Sequence, residues 1–156
     1  MKVNIHLENF IKKKFKKPGK VLDLGAGKFN DVNDFKKLGW FIIGVDKATG
    51  VDLNKPFQYE EKFDLVYSNY VIQFIDNKEI FINTCYNNLK IGGWLFLQTF
   101  AQGDKIMKYK TLNEEQLNSL LKDKFKKIKI KKYNEFDNCP GHKHWHQILQ
   151  AVAQKK

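Results

Sequence analysis

The chain has 156 residues, 42% of them hydrophobic, and a formal charge of +11. That length and apolar share fit a single domain over residues 1–156 and exclude a largely disordered chain. The longest purely apolar runs are about five residues against the roughly 20 that cross a bilayer, and residues 1–20 hold no continuous apolar signal segment, so no membrane partner and a cytoplasmic location are expected.

The charge leaves nucleic acid open as a partner, because lysines release counterions from a phosphate backbone. All 28 basic residues are lysine, however. Arginine, which grips phosphate bidentately and reads bases, is missing, and an A/T-rich coding bias toward Lys, Asn, Ile and Phe accounts for the excess without any partner. Cys85 and Cys139, with no export signal, read as two free thiols, Cys85 as core filler.

Short apolar runs alternate with amphipathic stretches, the pattern of a parallel sheet covered on both faces. Residues 1–17 predict a basic amphipathic helix, broken by Pro18-Gly19. A strand follows at Lys20–Leu24, then a helix over residues 31–38 closed by Gly39. Phe41–Val45 is a second strand; residues 51–53 read as a very short third, preceded by a helix reduced to residues 47–50. Residues 63–67 give the fourth strand, 77–89 a helix, and 94–100 the fifth strand after the turn Gly92-Gly93. Asn113 and Gln116 pair as a capping box for a helix reaching Leu121. Residues 125–133, with one wet lysine face, predict an edge strand, and 146–153 a last strand reached through a polar turn at 134–143.

The strongest motif is Val-Leu-Asp-Leu-Gly-Ala-Gly at residues 21–27, a strand running into a glycine loop and then a helix start. Glycines there let a ligand approach backbone where helix N–H groups point outward. Asp23 stands two positions before the first glycine, and Asp46 ends the second strand 19 residues beyond Gly27, the spacing at which a carboxylate takes ribose hydroxyls. A nicotinamide site fits poorly: the pattern Gly25-x-Gly27-x-x-Asn30 lacks the third glycine, and Asp23 would face a pyrophosphate.

These residues resemble class I S-adenosylmethionine-dependent methyltransferases, whose cofactor carries a sulfonium and an ammonium that welcome acids. The likeness covers about residues 20–100 and includes Asp52-Leu53-Asn54-Lys55-Pro56-Phe57, the strand-four segment 63–75 and the segment 89–97. It implies a three-layer αβα Rossmann-like fold with seven mostly parallel strands, order 3-2-1-4-5-7-6, the last antiparallel. It implies S-adenosyl-L-methionine held by Asp23, Gly25, Ala26, Gly27, Asp46, Lys47, Asp52, Leu53, Ser68 and Asn69. Amino-methylating DNA enzymes of this fold carry prolines where this chain has Ser68-Asn69-Tyr70-Val71, and their absence counts against DNA amino-methylation.

A second cluster is Cys139-Pro140-Gly141-His142-Lys143-His144-Trp145-His146. Its donors suit zinc, but one short loop rarely closes four ligands round one ion, so no metal is expected. The turn falls at the cofactor rim, which makes His142, His144 and His146, with Asn69 and Tyr70, the candidate catalytic residues, a histidine acting as base near neutral pH. Residues 101–112 are expected to cover the substrate. Three functions remain open: a methyltransferase on a small molecule, one on nucleic acid or protein, and a non-catalytic nucleic-acid-binding protein that keeps the fold. The acceptor is unnamed, and a second subunit closing the site is an open alternative.

Overall fold

A computed structural model describes residues 4–156. Helix α1 spans Ile5–Lys14; Asn4 caps it by accepting the His6 N–H, and it ends at an extended Phe15. The helix expected over residues 1–17 is therefore shorter at its end, and residues 1–3 lie outside the described part. Strand β1 (Lys20–Leu24), helix α2 (Asn30–Lys37) and strand β2 (Phe41–Val45) follow. A single 3-10 turn covers Lys47–Thr49, the reduced helix the sequence predicts. Strand β3 (Phe63–Asn69), a second 3-10 turn at Ile72–Phe74, helix α3 (Lys78–Asn88) and strand β4 (Leu89–Phe100) come next. Helix α4 (Glu114–Leu121), with the Asn113–Gln116 capping box in place, leads to strands β5 (Phe125–Cys139) and β6 (His142–Lys155).

The six strands lie in the order β2-β1-β3-β4-β6-β5. The first four are parallel, and β6 runs antiparallel to both β4 and β5. This is the expected order with one correction: residues 51–53 form no strand, so the sheet has six strands rather than seven. There the Asp52 side chain accepts the Asn54 N–H and its carbonyl accepts the Lys55 N–H, a local turn that competes with ladder pairing.

Period-two alternation assigns each strand residue to one of two cores. Val21, Leu65, Tyr67, Phe96 and Val152 pack with α1 and α2 through Leu7, Phe10 and Phe35. Leu22, Leu24, Val66, Leu95 and Leu97 pack on the other face with α3 and α4 through Phe81, Cys85, Leu117 and Leu121. Both cysteines are free, and Cys85 is core filler whose thiol burial pushes up.

A second correction concerns residues 134–143, which are no loop. β5 and β6 stay paired from Glu135↔His146 out to Cys139↔His142, and only Pro140-Gly141 turns the chain. The result is a long two-stranded arm. Nearer the sheet, β5 bulges between Lys126 and Lys129, which lets Ile128 as well as Phe125 reach the core. Its exposed lysines line the outer edge of the sheet, a charge pattern that disfavours strand-to-strand pairing with another chain. No described helix is long and apolar enough to cross a membrane.

Candidate active site

Two adjoining sites lie at the carboxyl ends of β1, β3 and β4. The first is the glycine loop. Gly25 and Gly27 both take left-handed φ, 86° and 53°, and the N–H groups of Gly25 and Ala26 both donate to the Val45 carbonyl at 2.8 and 2.9 Å. Asp46 closes the loop from β2: one carboxylate oxygen accepts the Gly27 N–H at 3.1 Å, the other the Ala48 N–H at 3.1 Å. The Val51 N–H donates to the Asp46 carbonyl at 3.2 Å, which ties exposed Asp52 and buried Leu53 to the same corner. Lys47 opens the 3-10 turn with its side chain exposed. Ser68 is locked to β1 by its hydroxyl, which donates to the Leu24 carbonyl at 3.2 Å.

Asp23 is buried beneath this loop, on the α2 side of β1. Burial pushes its carboxyl up to about 8, and nearby Asp31 and Asp46 push in the same direction. Asp31, in the first turn of α2, is itself raised by burial, although the Tyr67 hydroxyl donates to it at 3.0 Å. Asp31 is a member of the acidic group that sequence reading passes over, because an acid in the first turn of a helix reads as a complement to its dipole. Three carboxyls thus stand near enough to repel one another in a chain of charge +11. The Asn69 side-chain carbonyl is also buried without a hydrogen-bond partner. Both features fit a cationic ligand bearing hydrogen-bond donors.

The second site is a cleft of about 920 Å³ reaching from Tyr70, Phe74 and Phe100 to the β5–β6 arm. Tyr70 takes a left-handed φ of 57°, a conformation that costs a non-glycine residue about 1–3 kcal/mol. Contacts on every side hold it: its N–H donates to Gln98 at 2.9 Å, its carbonyl accepts from Gln73 at 2.8 Å, and its ring stacks on Phe100 at 4.8 Å. Its hydroxyl donates to Glu135 at 3.2 Å, and burial pushes the phenol well up, so it stays a neutral donor.

The candidate histidines all reach this cleft rather than the glycine loop. His146, and through it His144, is held there by a residue that the sequence reading overlooks, Asp104. Its buried carboxylate accepts the N–H groups of Ile106 (2.9 Å), Met107 (2.7 Å) and Gln147 (2.8 Å), and contacts His146 Nδ1 at 2.9 Å. Burial pushes its carboxyl up, but these bonds outweigh that and hold it below the ordinary carboxylate range. The short spacing from Asp104 to the N–H groups two and three residues on is an Asx turn that a Gly-Asp pair after a strand signals. The segment around Asp104 is therefore pinned to β6, and Ile106 and Met107 from it line the cleft. Asp104→Ala should cost about 2–4 kcal/mol by leaving several buried donors unpaired, read as a lowered midpoint in urea denaturation; an unchanged midpoint would mean the wall is not held this way.

The comparisons with known proteins agree with this geometry. The family model described as a methyltransferase domain matches residues 3–151. Mitochondrial ubiquinone biosynthesis O-methyltransferase of Rattus norvegicus is 31% identical over 51% of this chain and 30% of its own length. The chain thus spans under a third of the curated relatives it matches. Among solved structures, Haemonchus contortus phosphoethanolamine N-methyltransferase 2, in complex with phosphomonomethylethanolamine and S-adenosylhomocysteine, superposes with a TM-score of 0.76 at 16% identity, over 97% of this chain and 52% of that one. An S-adenosylmethionine-dependent methyltransferase of Archaeoglobus fulgidus gives 0.73 at 16% identity, covering 97% and 92%. Burkholderia thailandensis 1,6-didemethyltoxoflavin-N1-methyltransferase, with bound 1,6-didemethyltoxoflavin and S-adenosylhomocysteine, gives 0.72 at 18%, covering 95% and 76%. These structures share the fold, and with the family match running over nearly its whole length, the chain belongs to the methyltransferase-domain family.

Proposed function

We propose that the protein transfers the methyl group of S-adenosylmethionine to a small molecule whose apolar, ring-bearing body lies in the 920 Å³ cleft. The observation that carries this is the adjacency of the two sites. Asn69 ends the strand that meets the glycine loop, and Tyr70, the next residue, forms the cleft wall. When bound, S-adenosylmethionine supplies a methyl on a sulfonium, and its displacement is governed by positioning. Asp23 faces the cationic end, Asp46 the ribose, and the orphaned Asn69 carbonyl offers an acceptor to a bound donor. Tyr70 and Phe100 present aromatic surface to the acceptor and keep water away from the reacting face.

The test is transfer of labelled methyl from S-adenosylmethionine to a panel of small hydroxylated and aminated ring compounds. Phe100→Ala should raise KM on the order of tenfold, about 1.4 kcal/mol of lost ring contact, with a smaller change in kcat. Labelling confined to RNA, DNA or protein would overturn the small-molecule assignment. That second reading draws on the exposed lysines Lys126, Lys127, Lys129, Lys131 and Lys132 of β5. It predicts nucleic-acid binding that falls steeply with salt, whereas lysines that merely protect a sheet edge give almost none.

A further inference from the structure

We infer that the β5–β6 arm carries a binding site for a divalent first-row transition ion of the zinc type, held by Asp137, His142 and His144. This goes beyond the methyl-transfer reading and does not depend on it. Directly opposed residues of an antiparallel ribbon project on the same side, with Cβ atoms about 4.5–5.5 Å apart. The register pairs Asp137 with His144 and Cys139 with His142, so the carboxylate and the two imidazoles share one side of the arm. One ligand atom from each of Asp137, His142 and His144 lies within 4.8 Å of the others. Sequence spacing showed only the histidine run; the carboxylate that completes a three-donor set comes from the facing strand.

An independent observation concerns how His144 is held. Asp104 contacts His146 Nδ1 at 2.9 Å, and His146 Nε2 contacts His144 Nε2 at 2.9 Å. This chain engages Nε2 of His144 and leaves Nδ1 as the ring nitrogen available to a ligand. A carboxylate–histidine chain behind a metal-binding imidazole is the arrangement that sets tautomer and ring orientation in metal sites. On the other side, the Cys139 N–H donates to one Asp137 oxygen at 2.9 Å and steadies the carboxylate. Two imidazoles and one carboxylate with the remaining positions open suit zinc, cobalt or iron(II), not magnesium or calcium, which prefer oxygen. All three residues line the cleft.

The experiment is calorimetric titration of the chelator-treated full chain with Zn²⁺, and absorption titration with Co²⁺, both without S-adenosylmethionine. The expected result is one ion per chain and a cobalt d–d spectrum of low symmetry. Asp137→Asn and His144→Asn should each weaken binding more than a hundredfold, and Asp104→Asn, two residues removed, about 10–100-fold. Far-ultraviolet circular dichroism of each variant separates lost binding from lost folding, and His142→Asn at the exposed tip serves as the variant least able to disturb the fold. Absence of stoichiometric binding, or affinities unchanged in Asp137→Asn and His142→Asn, would overturn the assignment.

Discussion

Titration of S-adenosylmethionine into the protein at pH 7 should release about one proton per cofactor bound, and Asp23→Asn should abolish that release. The Asp23 carboxyl, pushed up to about 8 by burial and by Asp31 and Asp46, is mostly neutral at pH 7. A cation bound beside it favours the carboxylate, so binding and deprotonation are linked. Each pH unit below about 8 therefore costs the complex about 1.4 kcal/mol, and affinity should rise nearly tenfold from pH 6 to pH 7. The asparagine variant should show no such slope and bind about 10–100-fold more weakly at pH 7.5, the worth of a hydrogen bond to a charged group. Calorimetry in two buffers of different ionisation enthalpy reads the proton directly. Equal affinity and no proton exchange in both proteins would remove Asp23 from the cofactor site.

The same carboxyl makes an unusual contribution to stability without cofactor. Its folded pKa lies above the ordinary value of 3.8, so the folded state holds the proton more tightly than the unfolded chain. This stabilisation is therefore full at low pH, and stability falls as pH rises between about 4 and 8. Most carboxylates act in the opposite sense. The difference in melting temperature between the native chain and Asp23→Asn, followed across that window, isolates the group: the variant should gain on the native chain as pH rises.

Much of this site is legible in the sequence because its parts are local. The glycines, Asp23 and Asp46 sit at strand ends that hydrophobic runs mark, and the loop they build follows from backbone geometry within a few residues. What escaped is non-local. Asp104 gains its importance only because β6 returns beside β4 and places Gln147 and His146 against it. Asp137 meets His144 only through the register of a ribbon that, in sequence, alternates Glu, Asp, Asn and Lys like a loop. Residues 134–139 lack the apolar alternation that marks a strand because no core lies under an arm. The expected third strand failed for the converse reason: Val51 and Leu53 read as strand by composition, while the Asp52 turn takes the backbone elsewhere.

The two loop glycines should fail in different ways, and the contrast separates folding from binding. A Cβ built on Gly25 would stand 2.2 Å from Val71 Cγ2, with a φ of 86° that side chains rarely adopt. Gly25→Ala must push Val71 and the 3-10 turn behind it away from the loop, so it should destabilise the protein by about 2–4 kcal/mol and lose cofactor as a consequence. A Cβ on Gly27, in contrast, meets nothing within 4 Å, although its φ is 53°. Gly27→Ala should cost only the left-handed strain, about 1–2 kcal/mol. On the proposed reading the space it enters is the space the cofactor needs, and the Gly27 N–H donates to Asp46, the carboxylate that reading assigns to the ribose. A folded Gly27→Ala protein should accordingly lose at least a hundredfold in affinity for S-adenosylhomocysteine while its melting temperature shifts by only a few degrees. If it binds S-adenosylhomocysteine as tightly as the native chain, the open face of the loop is not where the cofactor lies.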